Sequence, residues 1–339
     1  MNVDSRPLVS VVTPVYNGEK YLAECIESVL AQTYQSWEYI IINNCSTDRS
    51  LEIAQSYAQK DARIHIHNNQ EFVGREANEN IAFRQISPES KYCKMVHADD
   101  WLFPECIARM VTVAETNPTV GIVGAYGLND TRVSWDGLPY PSTVVPGREI
   151  CRRTLQGNFY VFGTPTSLLF RSDLIRGRGA LYNEANIHAD KEACFDLLQN
   201  TDFGFVHQVL TYTRRHKEAA TAFSERFNTY LPGTLIILKK YGPIYLHREE
   251  YEKCLRRHMK RYYSFLAKSV FYQREKQILD YHKNSMRDLG YAFSWAKLLG
   301  VLFLEVTDIL FNPKKTLERI ARRTRRGCEG RVGLHRYVP

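Results

Sequence analysis

A chain of 339 residues, 44% of them hydrophobic, can bury one large or two medium cores, which excludes a disordered protein. The net charge of +8 is concentrated at one end: residues 312–339 hold nine Lys or Arg against two acids, so the body of the chain is nearly neutral. Eight cysteines without a CxxC pair or a dense cluster suggest neither a zinc site nor a disulfide framework, and reduced cytoplasmic thiols are expected.

The first residues show no charged segment leading into a long apolar one, so no signal peptide is read. The apolar run LVSVVTP (8–14) predicts a buried strand; after the turn YNGE, Tyr21, Leu22, Cys25, Ile26, Val29 and Leu30 recur at helical spacing. WEYIIIN (37–43) is a second strand, and CSTD (45–48) offers caps for a helix running to Tyr57. ARIHIH (62–67) predicts a short strand, NENIAFRQI (78–86) a helix, and YCKMV (92–96) a strand. PECIARMVTVAE (104–115) predicts a helix with proline in its first turn, followed by the strand VGIVGAY (120–126). Such alternation predicts an α/β fold with a mostly parallel sheet flanked by helices, which binds ligands at the carboxyl ends of its strands. His65, His67 and His207 alternate with apolar neighbours and read as strand positions.

The polar clusters fall at three such ends: Thr13 to Asn17, Asn43 to Asp48, and His97 to Asp100. No GxGxxG or GxxxxGK[ST] follows any of these strands, so a bound phosphate needs another counter-charge. Asp99 and Asp100 repel each other side by side, and a hard cation, Mg2+ or Mn2+, would compensate them and a diphosphate together.

VSVVTPVYNGEKYLAECIESVLAQTY, IINNCSTD, HADDWLFPE and HADKEACFDLL together resemble the family 2 glycosyltransferases of GT-A fold over residues 8–216. The resemblance implies a nucleotide-diphosphate sugar donor, a divalent metal, and inverting transfer of a hexosyl group to an acceptor hydroxyl of a glycan or lipid-linked saccharide, as in polysaccharide biosynthesis. It places Thr13, Pro14 and Tyr16 along the base pocket, with Tyr16 free to stack. Asn44 stands where the family usually has an aspartate that accepts from the base, and Asn43 replaces the preceding one; an amide oxygen still accepts, so UDP is favoured. Asn78 matches the family's asparagine, Ala77 replaces the arginine often found before it, and Arg75 is the substitute one turn away. Asp99 would face the ribose and sugar, Asp100 would ligate the metal, and His97 would support them. Gly163 and Thr164 would lie near the reacting centre, and Arg214 or His216 would contact the diphosphate. Asp190 would be the general base, a helix N-cap being the structural alternative for the same residue, with His188 as its neighbour and Glu192 the second choice.

Beyond residue 225 the resemblance fades into amphipathic helical patterns with aromatic and basic residues interleaved. The expected organisation is a transferase domain at 1–225, a helical extension at 226–311 and a basic tail at 312–339. The longest apolar stretch, Leu298 to Phe311, is interrupted by Glu305 and Asp308 and falls short of a membrane span. The tail is expected to suit an anionic surface, lipid or nucleic acid, or else to be a solvated terminus; the expected location is cytoplasmic, and the lipid reading would place the protein peripherally at the inner face of a membrane. Nucleic acid would explain the tail but not the acidic strand ends. A catalytically inactive nucleotide-sugar binder and a nucleotidyltransferase are the other function classes, the latter lacking its glycine-rich basic loop.

Overall fold

The computed structural model describes residues 6–157, 160–216, 220–273 and 276–311; the basic tail lies outside them. The chain divides into two compact units, residues 1–254 and 255–339. In the first, β1 (Val9–Val15), α1 (Leu22–Leu30), β2 (Trp37–Asn43), α2 (Ser50–Ala58), β3 (Ile64–Asn68), α3 (Arg75–Arg84) and β4 (Tyr92–Met95) alternate. There follow β5 (Trp101–Leu102), α4 (Cys106–Thr116), β6 (Val120–Asn129), β7 (Arg132–Ser134), β8 (Val144–Val145) and α5 (Gly147–Leu155). A 3-10 turn, Pro165–Ser167, leads into β9 (Leu168–Arg171), α6 (Ser172–Arg176), α7 (Ala189–Leu197), β10 (Asp202–Thr213), α8 (Ala220–Phe227) and α9 (Tyr230–Tyr245).

All ten strands form one sheet with the path β3-β2-β1-β4-β9-β6-β10-β5, β7 pairing with β6 and β8 with β10. The half from β3 to β4 is parallel, as the alternation predicts. The sheet departs from that pattern at β9, which runs antiparallel to both β4 and β6. The order reverses between β1 and β4, since β2 and β3 extend the sheet on one side of β1 and β4 starts the other. Their carboxyl ends therefore flank a crevice of the kind that binds ligands in open α/β sheets.

The central strands read as continuous apolar runs because both faces are covered. Val9, Val11, Tyr39 and Ile41 pack against α1, α2 and α4 on one face, while Val12, Ile40 and Ile42 join the cluster that holds Ala82, Phe83, Phe170, Phe195 and Phe203 on the other. α9 buries Ile237, Leu238, Tyr241 and Tyr245 in that second cluster, so the first unit extends to Cys254. One charge is immersed in this sheet. Lys94, fully buried on β4, donates its ammonium protons to the carbonyls of Thr166 and Leu168 (3.0 Å for the latter).

α10 (Arg248–Lys268) crosses the boundary between the units, and a π-helical turn (Ser269–Gln273), α11 (Lys276–Asp288) and α12 (Trp295–Phe311) complete the second. Within it, the Tyr262 hydroxyl and His282 Nδ1 are 2.8 Å apart, and the Ser294 N–H donates to the Tyr263 hydroxyl at 2.8 Å. No helix among the described residues is long and apolar enough to cross a membrane.

Candidate active site

β1 ends in a turn at Tyr16–Asn17–Gly18, with Asn17 at φ +50°, held by the segment after β2. The Thr47 N–H donates to Asn17 Oδ1 at 2.8 Å, the Gly18 N–H to Ser50 Oγ at 2.7 Å and the Glu19 N–H to Asp48 Oδ2 at 2.9 Å. The N-cap of α2 is Arg49, without a side-chain bond; Asp48 instead accepts from the Ser50 N–H at 2.9 Å while tethering the first turn. Tyr16 and Phe72 are both half or more exposed, with ring centroids 4.7 Å apart and planes tilted by 58°, so that each ring leaves a face open to solvent. Thr13 points the other way: it is fully buried, its hydroxyl 2.9 Å from that of Tyr39, because the alternation of a strand turns it into the core.

Asn44 has a specific local partner. Its Oδ1 accepts from the Val73 N–H at 3.0 Å while its Nδ2 donates to the Val73 carbonyl at 2.9 Å, a pair that fixes the amide's orientation and that a carboxylate could not make. Oδ1 also accepts from Asn69 Nδ2, which donates in turn to Asn78 Oδ1, both at 2.9 Å. Asn44, Asn69 and Asn78 thus hold the loop that carries Phe72.

At the end of β4, Asp100 is 3% exposed, and its two oxygens accept from residues far along the chain: Oδ2 from the Thr166 hydroxyl at 2.6 Å, Oδ1 from the Arg214 N–H at 3.1 Å. Asp99 Oδ2 lies 2.9 Å from His216 Nε2, and the Asp99 carbonyl accepts from Arg214 Nε at 3.1 Å. The Arg214 guanidinium rests over the Tyr21 ring at 4.4 Å and pairs with Glu24. His97 Nε2 is 2.9 Å from Oε1 of the buried Glu79. Burial works against a charge on His97, but the Glu79 hydrogen bond and charge, with Asp100 and Asp99, outweigh it and carry its pKa up to about 9. Burial, reinforced by Asp99, pushes Asp100 up to about 7 against the pull of His97, Thr166 and the Arg214 N–H. The protein's own partners therefore leave this carboxyl under-compensated.

Ligand atoms of His97, Asp99 and Asp100 lie within 4.8 Å of one another. Two carboxylates suit Mn2+ or Mg2+ by donor type, while His97, paired with Glu79, supports them from beside. The residues present fit the metal.

Asp190 stands in the first turn of α7. The N-cap is His188, so Asp190 is not the cap. Burial raises the Asp190 pKa, opposed by the Lys191 N–H, Arg75 and His188. Burial also lowers the pKa of His188, whose Nε2 is 3.0 Å from the Thr229 hydroxyl and whose ring lies 4.9 Å from that of Tyr230. Arg75 donates to the Ile187 carbonyl at 2.9 Å and pairs with Glu76, which places it on the Asp190 side rather than among the strand ends. Glu192 is spoken for: its oxygens accept from Asn186 at 2.8 Å, Asn183 at 3.3 Å and Lys240 at 2.6 Å. Gly163 takes φ +70°, where a Cβ would sit 2.7 Å from Ser167 Cβ; its carbonyl accepts from the Tyr160 hydroxyl at 3.2 Å. Thr164 Oγ1 is 3.3 Å from Ser167 Oγ and 3.4 Å from Thr213 Oγ1.

The structure gathers Asp99, Asp100, Arg214 and His216 into one cluster and Asp190, Arg75 and His188 into another. Glu79, Thr166 and Phe72 are the participants that sequence reasoning missed. The first had a signal, a run of three polar residues, Asn78–Glu79–Asn80, all buried in a helix.

Residues 10–177 match the profile described as Glycosyl transferase family 2. The chain belongs to that family. Among curated relatives, the chain is 31% identical over 132 residues to the glycosyltransferase GlyA of Streptococcus pneumoniae, covering 39% of this chain and 18% of GlyA. It is 36% identical over 124 residues to an uncharacterized glycosyltransferase of Haemophilus influenzae, covering 37% and 38% of the two chains. The match thus spans well under two thirds of these relatives. Residues 1–349 of S. aureus TarS, solved in complex with UDP-GlcNAc, superpose with a TM-score of 0.61 at 18% identity, covering 83% of this chain and 80% of that one. The mannosyltransferase PcManGT of Pyrobaculum calidifontis, solved with GDP-Man and Mn2+, gives 0.54 at 15% identity over 93% and 84%. The fold is the mixed α/β GT-A fold of those transferases.

Proposed function

We propose that the protein is an inverting hexosyltransferase that moves a sugar from a nucleotide-diphosphate donor, a UDP-sugar first, to a hydroxyl of a glycan or lipid-linked saccharide. The observation that carries this reading is the pairing of the under-compensated Asp99–Asp100 cluster at the strand-order reversal with a second, half-buried carboxyl, Asp190, at the start of α7. The donors bound by TarS and PcManGT, and the name of Bacillus subtilis TuaG, a teichuronic acid biosynthesis glycosyltransferase 38% identical over 95 residues, support donor class and a role in polysaccharide biosynthesis.

In this reading the base stacks on Tyr16 beside Pro14, with Phe72 tilted against it on the loop pinned by Asn44 and Asn78; Thr13 serves the wall from behind. Asp100, with Asp99 and His97 in reach, would hold Mn2+ or Mg2+, which when bound takes up negative charge on the diphosphate. Arg214 and His216 meet the same charge from β10's exit, and Asp99 faces the ribose and sugar. Gly163 and Thr164 shape the space between the clusters. Asp190, ionised, accepts the proton of the acceptor hydroxyl as its oxygen attacks the anomeric carbon, and Arg75 holds the segment before α7 in place. A cytoplasmic location accords with the free cysteines among the described residues, and a basic tail accords with a lipid-linked acceptor at the inner membrane face.

A panel of nucleotide sugars scored for Mn2+-dependent hydrolysis and thermal stabilisation tests this. At 100 times its dissociation constant the true donor should add about 2.7 kcal/mol of stability. No response to any nucleotide sugar would reject the reading.

A further inference from the structure

α12 carries an apolar face that nothing among the described residues covers. Trp295, Leu299, Phe303 and Val306 follow one another at intervals of four, four and three residues, which places them within about a quarter turn of the helix surface. All four are exposed, Phe303 to 69%, and Leu304 and Phe311 are exposed further round the helix. The buried side of the same helix is marked by Leu298, at 1% exposure. An exposed stripe of this size on a helix too short to span a bilayer marks an interaction surface.

The charge around it says what kind. Lys283 Nζ lies 5.3 Å from the Trp295 ring and 5.9 Å from that of Phe293, and Lys297 Nζ 6.0 Å from the Tyr263 ring, so ammonium groups frame the aromatic end. Directly after Phe311 come nine Lys or Arg and two acids in 28 residues. An apolar stripe bordered by aromatic and cationic groups, and continued by a basic segment, matches an interfacial helix lying in the plane of an anionic lipid surface. A second copy of the chain would bring the same positive charges together.

We infer that α12 docks this protein on anionic bilayers, with Trp295, Leu299, Phe303 and Val306 set into the headgroup–acyl boundary. The inference stands whether or not sugar transfer is the reaction, and its assay contains no sugar. The full chain is sedimented with vesicles of phosphatidylglycerol and phosphatidylcholine in equal parts, and with phosphatidylcholine alone, at low and high salt. The wild type should co-sediment with the anionic vesicles, less so at high salt. Leu299→Ser/Phe303→Ser, which alters exposed side chains only, should lower the partition by roughly tenfold or more at unchanged far-UV circular dichroism. Phe303→Trp should bind as the wild type does. Equal binding by the double-serine variant, equal binding to both vesicle types, or no binding by the wild type would overturn the inference. So would a wild-type dimer in gel filtration that the double-serine variant dissolves.

Discussion

Replacing Asp190 by asparagine removes a proton acceptor and little else, because the carboxylate does not cap its helix and sits in the first turn after the His188 cap. Burial raises its pKa, and the sign of the stability effect follows. A carboxyl whose pKa is higher in the folded state than in the unfolded one contributes stability at low pH and loses it as pH rises through the folded value. At neutral pH the ionised Asp190 therefore opposes folding, and asparagine relieves that cost while giving up about 0.3–1 kcal/mol of favourable interaction with the helix N-terminus. The melting temperature should hold or rise slightly. Turnover should fall by about 10²- to 10⁴-fold, or roughly 3–5 kcal/mol of barrier, with donor affinity spared. The assay is transfer of labelled sugar at saturating donor, beside calorimetric titration of the donor. Because the base must be ionised, the wild-type rate should decline on acidification at a pH above the ordinary aspartate range. An asparagine variant that transfers at near wild-type rate refutes the assignment, and Glu192, held by Asn183, Asn186 and Lys240, could not then take the role.

Asp100→Ala should abolish Mn2+-dependent donor binding with the far-UV circular dichroism unchanged; full activity in EDTA would show that no metal is needed. Asn44→Ala leaves the Val73 N–H and carbonyl without partners and should cost about 1–3 kcal/mol in thermal unfolding, while Asn44→Asp should also destabilise, since a carboxylate cannot donate to that carbonyl. A melting curve for Asn44→Asp above that of the wild type would contradict the clamp. Truncation after Phe311 should weaken binding to anionic liposomes, by about 1 kcal/mol for each basic residue that engages the surface, and leave donor hydrolysis intact.

The strands of the parallel half were legible because they are buried on both faces: WEYIIIN is β2 residue for residue, and LVSVVTP is displaced by one. The antiparallel insertion of β9 was not, since TPTSLLF has the composition of any short buried strand and direction is set by its partners. In the site, residues that carry charge in unusual company, Asp99 with Asp100 and Arg214 near His216, could be singled out from the chain alone. Their fixing partners could not. Thr166 is an ordinary threonine until it lies against Asp100, and Asn44 acts on the backbone of a valine, which leaves no trace in side-chain chemistry. Thr13 shows the converse: adjacent to the crevice in sequence, it is turned inward by strand alternation.

The two bonds that hold Asp100 reach 66 and 114 residues further along the chain, to Thr166 and to the Arg214 N–H. During synthesis the acidic turn leaves the ribosome long before either partner does, so Asp100 cannot be fully held until β10 has been made and laid beside β6. A nascent chain ending where the family match does, at residue 177, would hold both aspartates and the Thr166 hydroxyl yet lack the amide that takes the other oxygen of Asp100. Asp100 thereby acquires its full set of partners only late in the life of the chain, and a cation held there as proposed would find the finished site only after the last strand of the sheet is in place.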